Sequence, residues 1–163
     1  MSLKFLITDE QLEYAKVNSD LDISFKEEQG FIDWKSYKNS RHNTYLGWLS
    51  ETCFADLLGL PRPEVVDRAK TKIDFVYGGK KIDLKSTDCK NENVRLMVRQ
   101  DYDTEDLDYF VLCRLSDLFF ELLGFVSVKD LHDKGRKESV GYANNFVLWD
   151  HELDDIRGLI KIG

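Results

Sequence analysis

The sequence predicts an α/β domain, a central mixed β-sheet flanked by helices. Three observations predict it. Residues 44–58, "TYLGWLSETCFADLL", place apolar side chains at 46, 49, 53, 54 and 57, the spacing of an amphipathic helix. Residues 72–87, "KIDFVYGGKKIDLKST", alternate apolar and polar residues on both sides of Gly78-Gly79, the pattern of a β-hairpin. Residues 108–115, "DYFVLCRL", form a nearly continuous apolar run, as expected of a buried strand.

The elements follow in chain order. Thr8 with Gln11 three residues on is a capping-box pattern, so residues 9–17 are predicted to be a short helix. Residues 20–43 show no dominant period. Helix 44–58 ends at Gly59, a residue suited to the left-handed stop position. Strands are expected over 71–77, 80–86 and 93–99 as an antiparallel run. Two more are expected over 108–115 and 118–128, the second kinked at Gly124. Ser127 can cap a short helix, "VKDLHDKG"; "NFVLWD" reads as a late strand; Asp150 can cap a last helix, "HELDDIRGLI". With two prolines and no linker-like or repeated segment, residues 1–163 read as one domain.

Composition narrows the function classes. Net charge is −7, which opposes a protein coated in positive charge for indiscriminate DNA binding. The charge is uneven, however. Residues 62–99 carry 10 Lys+Arg against 6 Asp+Glu, while the segments on either side are net negative. The basic stretch is the one that holds the hairpin. Cys53, Cys89 and Cys113 form no C-x-x-C, which argues against a disulfide framework or a thiolate zinc site. His42, His132 and His151 are scattered and read as surface residues. No apolar run approaches the ~20 residues of a membrane span. The stretch "MSLKFLITDEQ" is too short in apolar residues for a secretory signal, so the expected compartment is the cytoplasm.

The hairpin carries one aspartate in each strand, where Val or Thr would pack better. A two-residue turn at Gly78-Gly79 sets Tyr77 opposite Lys80 and therefore Asp74 opposite Asp83. Lys72, Val76, Lys81 and Lys85 share that face; Ile73, Phe75, Ile82 and Leu84 form the apolar one. Facing side chains of like charge lie ~5 Å apart at Cβ and destabilise a sheet. A divalent cation explains the pair, because Mg²⁺ and Mn²⁺ prefer oxygen ligands. A plain D-x-K tripeptide is uninformative: Asp33-Trp34-Lys35 and Asp88-Cys89-Lys90 also occur. Only Asp83-Leu84-Lys85 has a second carboxylate placed against it by the turn. Glu51, on the rim of the apolar face of helix 44–58, offers a third acid toward the sheet.

These residues resemble the PD-(D/E)xK nuclease superfamily, whose restriction-endonuclease-like core runs helix, three antiparallel strands, helix, strand. "GWLSETCFADLLGL" is similar to the first-helix motif of archaeal Holliday-junction resolvases, with Glu51 matching the helix acid. "KIDF" matches the first motif acid with Asp74, and "IDLKS" matches D-x-K with Asp83 and Lys85. The likeness covers about residues 44–115. Ile73 stands where the nominal motif has Pro, and the second acid is Asp rather than Glu. Gln100 is similar to a polar residue that some members carry after the third motif.

The resemblance implies a Mg²⁺-dependent endonuclease or related hydrolase acting on phosphodiester bonds, most often in DNA. Asp74, Asp83, Glu51 and the backbone carbonyl of Leu84 would hold the metal, with Mn²⁺ as a substitute. Lys85 would orient or deprotonate the attacking water. Lys72, Lys81, Arg95 and Arg99 would follow flanking phosphates. A homodimer is compatible with the sequence, which does not set oligomeric state. The rival reading is a nucleic-acid-binding or assembly protein that keeps the fold without turnover. A third is an ordinary α/β domain with Asp74 and Asp83 on its surface.

Overall fold

The computed structural model describes residues 2–30, 37–68, 72–140 and 143–163. Asp33-Trp34-Lys35 lies outside them. Strand β1 (Leu3–Leu6) precedes helix α1 (Asp9–Glu28), which opens on the expected capping box. Thr8 Oγ1 accepts the Gln11 N–H, and Gln11 Oε1 accepts the Thr8 N–H. The helix runs well past residue 17, and the next, α2 (Tyr37–Leu58), begins before residue 44. Both extensions are polar. They are held by helix–helix packing, with Ala15, Ser19, Asp22 and Ile23 of α1 buried, so tertiary contact overrides the weak local period.

Helix α3 (Val65–Arg68) leads to the hairpin of β2 (Phe75–Tyr77) and β3 (Lys80–Thr87). Its register is the expected one: Tyr77 faces Lys80, Val76 faces Lys81 and Phe75 faces Ile82. Gly78 and Gly79 have φ of 56° and 74°, the paired positive values of a primed turn. Then follow β4 (Arg95–Arg99), β5 (Tyr109–Leu115), β6 (Phe119–Ser127), α4 (Val128–Lys134), β7 (Arg136–Val140), β8 (Ala143–Trp149) and α5 (Ile156–Ile160).

The strands make two sheets. Five join in the order β1-β6-β5-β3-β2, with β3 and β5 parallel and the other pairs antiparallel. Three join in the order β4-β8-β7, all antiparallel. The expected antiparallel run over 71–99 is therefore corrected. Strand β4 forms as a strand but leaves the hairpin to pair with β8, and β5 takes the place beside β3. Alternation along 93–99 specifies two faces and is silent about neighbours.

Strand β5 explains its own sequence. Val111 and Cys113 face the cluster under α2, while Phe110 and Leu112 face a second cluster with Leu96, Val98, Leu131 and Leu148. Both faces are buried, so apolar residues run without a break. The larger sheet thus lies between α2 and the smaller sheet, and α4 packs with the smaller sheet through Leu131. In β6, Gly124 faces Leu112 while Leu122 faces Cys113, so Leu123 is a bulge beside the expected kink. A Cβ at Gly124 would stand 2.6 Å from the Leu153 Cβ, which is why that position is bare. The last helix starts later than expected. Asp150 opens a short 3-10 turn, and Asp155 caps α5 by accepting the Arg157 N–H. Among the described residues, no helix is long and apolar enough to cross a membrane.

Candidate active site

Period-2 alternation in β3 sends Ile82 and Leu84 to the α2 side and Asp83 and Lys85 to the opposite side. That side is the seam between the two sheets. Asp83 faces Phe110 of β5 and is 2% exposed. Its Oδ2 accepts the Tyr102 hydroxyl at 2.6 Å and the Lys85 ammonium at 3.2 Å. Its Oδ1 lies 3.0 Å from Lys85 Nζ as an ion pair, but without hydrogen-bond geometry. Among the described residues it is the buried side-chain polar atom that makes no hydrogen bond. Lys85 is about one-third exposed, which opens this seam to solvent at the ammonium.

Asp74 sits differently from the expectation. Strand β2 begins at Phe75, so the ladder stops one residue short of an Asp74–Asp83 pair. Asp74 donates its N–H to the Ile82 carbonyl at 3.1 Å, and its Oδ2 accepts the Leu84 N–H at 2.8 Å. The carboxylate therefore lies along the sheet edge and takes a strand N–H that the short β2 cannot reach. The charges of Asp74 and Asp83 both act on the Tyr102 phenol.

Glu51 is buried at 4% on α2. One turn further along the same helix face, Phe54 packs on Phe75 with ring centroids 5.0 Å apart. That contact puts Glu51 beside the approach to β2. Burial first, and the charges of Cys53, Glu51 and Asp74 after it, hold the Cys113 thiol far above its ordinary range. Glu51 thus lies on the helix side of the sheet, Asp83 on the far side, and the charge of Asp74 acts on both Cys113 and Tyr102.

The expected cations divide into two groups. Lys81 shares the Asp83 face of β3 and is exposed, and Lys72 pairs with Asp103 at 3.2 Å beside the Tyr102 turn. Arg95 and Arg99 do share one strand face, but it is the outer face of the smaller sheet, opposite the buried Leu96 and Val98. There Arg95 pairs with Glu138 and packs over the Trp149 ring, and Arg99 pairs with Asp101. Gln100 is exposed, with its amide 3.5 Å from the Asn145 carbonyl. Exposed His42 pairs with Asp88 of the third D-x-K. Cys53 is buried, its thiol pushed up to about 12 chiefly by burial.

Tyr102 is the member of the site that motif reading missed. It lies in the turn after β4, its N–H bonded to the Arg99 carbonyl at 3.1 Å. Burial first, then the hydrogen bond and charge of Asp83, hold its phenol far above the ordinary range. It is a donor at neutral pH. A Tyr in a polar turn, nineteen residues after Asp83, carries no periodic signal that would have singled it out.

No family model, curated protein or solved structure matches the chain. The fit of a metal ion rests on the residues themselves. Among the described residues, no group of three or more His, Cys, Asp or Glu side chains is placed to hold a metal ion. Mg²⁺ does not require such a group, since it commonly keeps several waters and binds through one or two carboxylates. A buried carboxylate oxygen without a hydrogen bond, with a second carboxylate at the same edge, fits that manner of binding.

Proposed function

We propose that the protein is a metal-dependent nuclease hydrolysing phosphodiester bonds in DNA, on a core of the restriction-endonuclease-like kind. The observation that carries this reading is Asp83, an almost fully buried carboxylate whose Oδ1 is ion-paired to Lys85 at 3.0 Å but makes no hydrogen bond. Taking a carboxylate out of water is costly even when it is paired, and ligation is a function that would offset that cost. Asp74 and Asp83 would hold Mg²⁺ or Mn²⁺, with the Leu84 carbonyl as a further oxygen donor; Glu51, on the helix side of the sheet, would reach the ion only through water. When bound, the ion supplies a water of lowered pKa and neutralises charge on the scissile phosphate.

The other steps belong to side chains. Lys85 Nζ, held at Asp83 and partly open to solvent, orients the attacking water and meets negative charge as it develops. Lys81 and Lys72 flank the same side and would position phosphates without reading sequence. The Lys72–Asp103 pair is an exposed one of small worth, so a phosphate can displace the carboxylate.

The test is a panel of labelled DNA and RNA molecules (duplexes, single strands, junctions and free ends) incubated with Mg²⁺ or Mn²⁺. The expected result is cleavage of DNA by the native protein and none by Lys85→Ala. Wild-type protein that binds DNA in Ca²⁺ but cuts no member of the panel would instead be a binding module.

A further inference from the structure

We infer that Tyr102 is a positioning residue of this site, one side chain that fixes both Asp83 and Lys85. The inference rests on the metal-site reading above. It begins from three contacts made by a single ring. The Tyr102 hydroxyl donates to Asp83 Oδ2 at 2.6 Å. Lys85 Nζ lies 4.6 Å from the Tyr102 ring centroid and 5.8 Å from that of Phe110. The Tyr102 and Phe110 rings are 6.2 Å apart at 60°, and Phe110 is the β5 residue opposite Asp83. Tyr102 is therefore braced on the strand that borders the site, and it holds the carboxylate with its polar end and the ammonium with its face.

The two oxygens of Asp83 are given different work by this arrangement. A phenol that stays protonated can only donate to a carboxylate, so Tyr102 occupies Oδ2 and resists rotation of the group. Lys85 bonds to the same oxygen. Oδ1 is left facing the ammonium without a hydrogen bond. Without the hydroxyl, the Asp83 carboxylate would lose the contact that fixes its rotation and would collapse further onto the Lys85 ammonium, which already lies 3.0 Å from Oδ1 and 3.2 Å from Oδ2. The attraction between the ring face and the ammonium opposes the same collapse from the other side. Partners of this kind, which bond to a ligating carboxylate rather than to the metal, typically change metal affinity or activity by about 10–100-fold when removed.

The test separates this role from the nuclease reading by working without substrate. Mn²⁺ binding is followed by the electron paramagnetic resonance signal of the free ion, for wild type, Tyr102→Phe, Tyr102→Leu and Asp83→Asn. In metal-free protein, the Asp83 carboxyl carbon and the Lys85 side-chain signals are followed by NMR. Tyr102→Phe keeps the ring on Phe110 and removes only the hydroxyl. It is expected to melt like wild type, weaken Mn²⁺ by about 10–100-fold, shift the Asp83 carboxyl signal and leave the ring-current shift of Lys85 in place. Tyr102→Leu is expected in addition to reduce that ring-current shift to what the Phe110 ring alone contributes. A Tyr102→Phe protein with wild-type Mn²⁺ affinity and an unmoved Asp83 signal overturns the inference. Wild type that binds no Mn²⁺ overturns the metal reading, and the metal-free NMR comparison still decides whether Tyr102 orders the pair. Wild type that binds Mn²⁺ but cuts nothing removes the nuclease reading and leaves Tyr102 to be judged on the Mn²⁺ series.

Discussion

Asp22 and Asp83 are both buried aspartates with a lysine within reach, and they are used in opposite ways. Asp22 lies between α1 and α2, 6% exposed. Its Oδ2 accepts the indole N–H of the fully buried Trp48 at 3.0 Å and pairs with Lys26, one helical turn along. Asp83 is more deeply buried, yet one of its oxygens has no hydrogen bond. Burial alone therefore does not distinguish structure from chemistry. Asp22 serves a donor that would otherwise be stranded in the core. Asp83 takes two hydrogen bonds on Oδ2 and holds Oδ1 against the Lys85 ammonium without a hydrogen bond, an arrangement that adds little to the fold.

The largest effect that would break or sharpen this contrast is catalytic. Lys85→Ala is expected to lower the rate of DNA cleavage by orders of magnitude while DNA affinity measured in Ca²⁺ changes little. Asp22→Asn, in the same assay, is expected to cleave like wild type wherever it is folded. Equal cleavage by Lys85→Ala and wild type would remove the chemical half of the comparison.

Stability comes next. Asp22→Ala takes an acceptor from a buried indole and is expected to cost about 1–3 kcal/mol in urea unfolding. Asp83→Ala is expected to stay within about 1 kcal/mol of wild type, because Lys85 and Tyr102 are only partly buried and can turn to water. A reversed order in the two unfolding midpoints would make Asp83 the structural residue.

A smaller effect concerns the cations. Each phosphate contact removed should lower the salt slope of DNA binding by about one unit. Lys81→Ala is expected to do so, since Lys81 lies on the Asp83 face. Arg99→Ala, on the outer face of the smaller sheet, is expected to leave the slope alone. Equal slopes for the two variants would mean that the DNA wraps both sheets.

The smallest effect is a labelling rate. Burial of Cys53 pushes its thiol up to about 12, so the thiolate is scarce at pH 8. Partly exposed Cys89 should react first with a thiol reagent, with Cys53 and Cys113 following only on unfolding. Rapid modification of all three in the native protein would show that this core is open to solvent.

What the sequence made legible was local. The Thr8–Gln11 capping box joins residues three apart, and the Gly78-Gly79 turn sets the register of neighbours on either side of it, so both can be read without the rest of the chain. Arg95 and Arg99 were read onto the correct strand and the correct shared face. Their position relative to Asp83 was lost, because it depends on β4 pairing with β8. The expected face-to-face aspartates became an edge arrangement for a similar reason. How far β2 extends before Asp74 leaves the ladder is decided by tertiary packing rather than by alternation. Strand β7, "RKESV", has four charged or hydroxyl-bearing residues among its five, so it gave no apolar period to read; it is a strand because β8 lies beside it.

The placement of β4 has a consequence for the order in which the molecule assembles. Asp83 and Lys85 come together on one strand by local alternation alone. Tyr102 follows β4, and β4 is held by residues 145–149, about fifty positions further along the chain. Closing so long a loop is entropically costly and slow compared with forming a hairpin. The hairpin is therefore closed by local contacts, whereas the braced Asp83–Lys85 pair depends on non-local ones. Any change that delays docking of the smaller sheet should delay completion of the site while leaving the strand that bears it already formed.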